Sequence, residues 1–249
     1  HGPADSIFGA HRLDNAIDVK AGIGSNIGAF IAMGGGASVG QYGPLVHFGA
    51  TMAEVLLKDV RMKIDRRVFI ACGVAGAISA GFNAPIAGVL FAYEALLRRI
   101  SVGAIAPIAV ASIVAYAANQ AFFNLEPMLA VPDMSIELRP LIPFLIFTGV
   151  LSALTSVAYM AAIRKGRELA SRSGWSMPQL LVSCVVVVGS ISVVVPDVAG
   201  LGLTQINEII DAKFGLAMLF VLLAGKIFVT AYCLNTGFFG GVFGPALFV

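Results

Sequence analysis

Hydrophobic residues in this chain fall in long unbroken runs, not in alternation with polar ones. Stretches free of Asp, Glu, Lys and Arg cover 21–53, 68–93, 100–125, 140–163 and 173–196. Two more, 214–225 and 227–249, are separated only by Lys226. A helix crossing a bilayer needs about 20 apolar residues, so 100–125, 140–163 and 173–196 each predict one span. The stretch 21–53 is too long for one span, too short for two, and is interrupted at Gly40-Gln41-Tyr42-Gly43-Pro44. The stretch 68–93 is interrupted at Phe82-Asn83-Ala84-Pro85, which predicts two short half-helices. Such breaks leave backbone groups unpaired at membrane depth. They are tolerated only inside protein or beside a watery cavity, and in transporters they are where substrate binds.

Composition strengthens this reading. Of 249 residues, 58% are hydrophobic and 12% charged, about half the charged share of a soluble domain. So few charges cannot cover a water-facing surface, and the expected class is an all-α, multi-pass integral membrane protein of the cell's inner or plasma membrane. A formal net charge of +2 gives nucleic acid no purchase. Cys72, Cys184 and Cys233 lie inside apolar stretches without metal or redox spacing, so they are expected to be buried free thiols. No metal or cofactor is expected. Most of the 28 glycines fit close helix packing; those beside Pro44 and Pro245 do not. The chain begins with His1 and not Met, so a preceding segment is expected.

Basic residues orient the spans. Lys58, Arg61, Lys63, Arg66 and Arg67 form one group, Arg98 and Arg99 a second, and Arg164, Lys165, Arg167 and Arg172 a third. All three are expected on the cytoplasmic side as solvated loops. The connection 124–138 carries Glu126, Asp133 and Glu137 and is expected outside. Trp175 follows the third basic group, where an interfacial anchor belongs.

An internal repeat is legible. Gly40-Gln41-Tyr42-Gly43-Pro44 recurs as Gly241-Val242-Phe243-Gly244-Pro245, both reading G-x-aromatic-G-P. The offset of 201 residues also pairs Gly24 with Gly225 and Gly36 with Gly237. In-register segments at one offset point to a duplicated half. Proline early in a helix fits positions whose N–H lacks a partner, so each copy predicts a loop feeding a helix N-terminus inside the membrane. Such an end offers unpaired N–H groups and about half a positive charge, and glycine permits close approach. Two such ends would bind a small anion weakly enough to release it.

At these residues the chain resembles the CLC family of chloride channels and chloride/proton exchangers. That family carries a G-[KR]-E-G-P loop and a G-x-F-x-P loop, each opening a helix at the chloride path. Between them Gly81-Phe82-Asn83-Ala84-Pro85-Ile86-Ala87-Gly88-Val89-Leu90-Phe91 is similar to the family's F-N-A-P-x-A-G-x-L-F segment. The resemblance implies a CLC-like inverted-repeat fold with re-entrant half-helices. It also implies a homodimer in the lipid bilayer, with contacts on the helices around 84–97 and 100–120. It places a first repeat portion in 1–122 and a second in 140–249, incomplete at both ends, so that 1–249 is a fragment of the full transmembrane domain lacking the family's late chloride-coordinating tyrosine.

Departures from the family pattern shape the expected mechanism. Tyr42 stands where the family has its external gating glutamate, and Gln41 where it has a basic residue. Counting back from Tyr42 sets His1 at the serine of the family's first chloride loop. Ala95 stands at the internal proton-transfer glutamate, with Glu94 one residue earlier. The expected anion-binding residues are therefore His1, Gly40, Gln41, Tyr42, Gly43, Val242 and Phe243, with Tyr42 as gate and Glu94 as the one candidate proton relay. A phenol ionises near pH 10, so unlike a carboxylate it neither mimics chloride by charge nor cycles a proton readily.

Each of these residues has a plainer reading. Tyr42 is otherwise an aromatic packing residue, and Glu94 lies four residues before Arg98, the spacing of a helical ion pair. His47 fits packing or a backbone hydrogen bond. Lys226 fits snorkelling or pairing, or lends positive potential to the path. Asp5 fits a helix cap.

The leading expectation is passage of chloride or a similar small inorganic anion, channel-like and without proton exchange. A chloride/proton antiporter using another proton route is the alternative. An intramembrane enzyme is a competitor of another class, but His1, His11 and His47 are the only histidines and no G-x-S-G nucleophile loop is present. A non-transporting relic is the third possibility, against which halide binding near Tyr42 and Phe243 would argue.

Overall fold

The computed structural model describes residues 18–59, 65–98, 101–124 and 138–249. The described residues are helical, joined by turns and one isolated bridge. The chain divides into two compact units, one of residues 1–31 with 41–128, the other of 32–40 with 129–249. His1, Asp5, His11, Arg61, Lys63, Arg99, Glu126, Asp133 and Glu137 lie outside the described residues.

Helix α1 spans Val19–Gly34 and opens on the Asp18 carboxylate, which accepts from the amides of Lys20 and Ala21. In the first unit, α2 (Tyr42–Asp59) crosses α3 (Arg66–Phe82) at Gly49 and Gly73. A Cβ on either glycine would run into the other's carbonyl, so small residues set this crossing. Farther along α2, buried Glu54 accepts from Arg66, with Nη2 to Oε2 at 2.9 Å and Nε to Oε2 at 3.0 Å. Arg66 is thus an interhelix partner and not a solvated loop cation. Asp65 caps α3 through the Arg67 amide.

The predicted break in 68–93 is present. Asn83 ends α3 in the left-handed region at φ 56°. Pro85 then opens α4 (Pro85–Phe91), which widens into a π-helical turn over Ala92–Leu97. Helix α5 (Val102–Phe123) supplies the polar groups that the break needs. Ser112 Oγ donates to the Pro85 carbonyl at 2.7 Å, and Ser79 Oγ donates to the Ser112 carbonyl at 2.6 Å. Asn119 donates to the Ala80 carbonyl, and Gln120 to Asn83 Oδ1 at 2.8 Å. Asn119 thus takes up a last-turn carbonyl that the broken helix frees inside a membrane, while the two serines tie α5 to both half-helices. Ile70, Val74, Ile78, Leu96 and Ile108 form the apolar core around this frame.

In the second unit, α6 covers Leu138–Arg172 and α7 covers Met177–Val194. Ser176 and Gln179 form a capping box at the start of α7. A 3₁₀ turn at Pro196–Val198 leads to α8 (Leu203–Ile210), α9 (Leu216–Asn235) and α10 (Phe243–Phe248). Val39, Cys184, Leu222, Val229 and Cys233 lie in its core. All three cysteines are free, and the Cys184 and Cys233 sulfurs are 3.7 Å apart.

Three features differ from the hydropathy pattern. Helix α6 continues through the third basic group, because Arg, Lys, Glu, Leu and Ala all propagate a helix well. Helix α9 runs through Lys226 without a break. Helix α8 was not predicted, since eight residues cannot span a bilayer and its Gln, Asn and Glu dilute the apolar signal. Helices α5, α6, α7 and α9 are long and apolar enough to cross a membrane. Phe144, Val193 and Phe220 are among their largely exposed apolar side chains.

Candidate anion site

The sequence repeat is also a backbone repeat. Helix α1 ends at Gly34 and α9 at Asn235; Gly36 has φ +83° and Gly237 +100°. Helix α2 starts at Tyr42 and α10 at Phe243. Each correspondence keeps the offset of 201 residues. A left-handed glycine lets the chain leave the helix, an extended segment follows, and a new helix begins at the aromatic residue.

The two motifs meet at their first glycines. Gly40 N–H donates to the Gly241 carbonyl at 2.6 Å, and Gly241 N–H donates to the Gly40 carbonyl at 2.6 Å. This isolated antiparallel bridge needs glycine. A Cβ on Gly40 would stand 2.8 Å from both the Gly241 oxygen and the Gly244 nitrogen.

Neighbouring groups of the second unit, which holds both glycines, brace the bridge. Ser38 Oγ and Thr230 Oγ1 are hydrogen-bonded at 2.8 Å. Tyr159 OH donates to the Val242 carbonyl at 3.0 Å. Gly200 N–H donates to the Gly36 carbonyl at 3.0 Å, and the Gly200 carbonyl accepts from Lys226 Nζ at 2.7 Å. Lys226 is completely buried. It also donates to the Val198 carbonyl at 3.2 Å and lies 4.9 Å from the Phe248 ring centroid. Its ammonium therefore holds a loop and a cation–π contact, and it does not snorkel.

Among the sequence-predicted site residues, Gly40 commits both backbone groups to Gly241. Gln41, Tyr42 and Gly43 follow it directly into the first turn of α2. Tyr42 is only 3% exposed and stacks on Phe82, with centroids 3.7 Å apart and planes at 18°. Gly81 admits this contact, since a Cβ there would meet Leu45 and the Tyr42 ring. The gate candidate thus rests on the first residue of the F-N-A-P segment. The two belong to separate sequence motifs, and no residue spacing links them. Val242 and Phe243 enter α10 with about half of their surface open.

Glu94 is exposed on the π-helical turn and does not pair with Arg98. The i,i+4 spacing fails because Arg98 has left the helix at φ 52°. His47 is buried. His1 lies outside the described residues. Among the described residues no group of three or more His, Cys, Asp or Glu could hold a metal ion.

Comparison with known proteins places this architecture. The family model described as "Voltage gated chloride channel" matches residues 2–249. A "Putative chloride channel protein ClcB-like" from Ralstonia nicotianae is 26% identical over 242 residues, covering 94% of this chain and 56% of that protein. An "H(+)/Cl(-) exchange transporter ClcA" from Vibrio campbellii is 28% identical over 229 residues, covering 88% and 49%. Among solved structures, a slow cyanobacterial Cl⁻/H⁺ antiporter superposes with a TM-score of 0.81 at 18% identity, covering 98% of this chain and 58% of that one. A CLC-type fluoride/proton antiporter gives 0.74 at 23% identity, covering 88% and 55%. This chain spans about half the length of the curated relatives it matches. The match across nearly the whole chain, with the broken helices and paired loops above, makes this an integral membrane protein of the voltage-gated chloride channel family, the CLC family.

Proposed function

We propose that the protein containing this chain carries chloride or a similar small inorganic anion across the cell's inner membrane. The path runs along the N-termini of α2 and α10. The bridge between Gly40 and Gly241 is the observation that carries this reading. It joins the first glycines of the two motif copies within the second unit, and along the chain each motif enters a helix two residues farther on, within about 7.6 Å of backbone. First-turn N–H groups lack partners within their own helix. Those of Gln41, Tyr42 and Gly43 on one loop, and of Val242 and Phe243 on the other, would face the ion with partial positive charge and no fixed cation. The organisation into repeat portions 1–122 and 140–249, the homodimer through α4 and α5, and a contribution of His1 belong to the same reading. Exposed Val102, Val110 and Val114 on α5 support the dimer face.

The finer part of the proposal is transport without proton exchange, supported by Tyr42 and Ala95 at the two positions where the family pattern has glutamates. The names of several relatives and solved neighbours, which are proton exchangers, favour a second reading. In it Glu94, exposed beside the Ala95 position, relays protons. The test of the anion path is chloride release from liposomes holding the full protein. Release above protein-free vesicles, lost in Gly40→Ala and retained in Gly24→Ala, supports it; release equal to that of empty vesicles rejects it.

A further inference from the structure

A cleft of about 430 Å³ opens on the second unit where α6 turns into α7 beside the last turns of α9. That volume is within the range of about 300–1,000 Å³ for small-molecule sites. Leu169, Trp175, Phe228 and Tyr232 supply its apolar wall, and Lys165 is its only charged lining residue. Gly166 fixes the approach of the two helices, because a Cβ there would stand 2.5 Å from Asn235 Nδ2. That Nδ2 donates to the Ile163 carbonyl at 2.9 Å and the Ala231 carbonyl at 2.7 Å, which ties the two helices together at this contact. Phe228 is 49%, Trp175 53% and Leu169 61% exposed.

Position and charge indicate what fits. The turn 173–176 joins two helices able to cross a membrane, so the cleft opens near the membrane–water boundary, where tryptophan settles. Residues 164–172 carry Arg164, Lys165, Arg167 and Arg172 against the single acid Glu168. Basic residues beside a membrane-spanning helix attract anionic lipid headgroups, at about 1 kcal/mol each. No carboxylate lines the cleft to receive a choline or ethanolamine cation. We propose that this cleft seats one anionic phospholipid, its acyl chain against Trp175 and Phe228 and its phosphate on Lys165. This inference rests on membrane residence and is independent of the anion path.

Quenching of Trp175 by brominated acyl chains tests it, using the full protein in liposomes, with the Trp175→Phe signal subtracted to isolate this residue. Brominated phosphatidylglycerol is expected to quench at about five-fold lower mole fraction than brominated phosphatidylcholine, the equivalent of about 1 kcal/mol. Lys165→Arg keeps that preference, Lys165→Glu abolishes it, and Arg164→Glu, one residue away from the cleft, leaves most of it. Equal quenching by both lipids overturns the proposal. So does an equal loss in Lys165→Glu and Arg164→Glu, which marks surface charge alone. Absence of quenching by either lipid also overturns it, since protein then covers the cleft.

Discussion

Gly40 and Gly241 exchange both of their backbone hydrogen bonds at 2.6 Å, each the first residue of one copy of the repeated motif. The contact leaves no space for a side chain on Gly40, and the obstructing atoms are backbone, which cannot rotate aside. Gly40→Ala is expected to cost about 1–3 kcal/mol, the range for overpacking. Gly24→Ala, with open space around it, stays within about 0.5 kcal/mol. Thermal unfolding of the two variants in detergent checks the difference.

Lys226 donates to the Val198 and Gly200 carbonyls, and no carboxylate among the described residues pairs with it. Lys226→Met keeps most of the volume but strips the donors from a buried loop, which costs about 1–3 kcal/mol for each group left unsatisfied. Because Gly200 in turn holds Gly36, the expected loss extends to the repeated loop. The unfolding midpoint falls, and chloride flux falls with it even at temperatures where the variant stays folded.

The break at Asn83 is held from α5. Ser112→Ala leaves the Pro85 carbonyl without its 2.7 Å donor and is expected to destabilise by about 1–3 kcal/mol. Ser112→Thr restores a hydroxyl and part of the stability. Unfolding of the single variants against wild type reads this out.

The proposed gate residue, Tyr42, is stacked on Phe82 in a packed aromatic pair. Tyr42→Phe retains the ring contact and is expected to keep wild-type stability within about 1 kcal/mol. Tyr42→Ala opens a cavity, costs about 3–5 kcal/mol, and raises chloride flux per folded protein by removing the steric plug. Flux normalised to folded protein distinguishes these effects; unchanged or lower normalised flux in Tyr42→Ala removes Tyr42 from the gate.

Much of this fold is legible in the sequence because membranes impose long apolar runs, and because a helix that breaks inside one needs glycine, proline and asparagine at the break. Gly40–Pro44, Phe82–Pro85 and the offset of 201 residues were all readable on that basis, and the backbone repeats them from Gly34 against Asn235 to Tyr42 against Phe243. Partnerships between distant residues were not readable. Arg66 stands in a basic group like a loop cation, yet its partner is Glu54 twelve residues away, and Lys226 interrupts an apolar run, yet the carbonyls of 198–200 close around it. Tyr42 against Phe82 is of the same kind, since apolar packing leaves no periodic trace. The Glu94–Arg98 spacing misled for a local reason: a π-helical turn and a left-handed residue abolish the geometry that makes i,i+4 neighbours meet.

The central claim, anion transport uncoupled from protons, is tested most directly by imposing a chloride gradient across liposomes holding the full protein and recording external chloride and pH together, with no proton ionophore present. The account predicts chloride movement, once a potassium ionophore relieves the charge, with pH following only passive leak. Sustained proton movement against its own gradient, driven by chloride and abolished in Glu94→Gln, would contradict it.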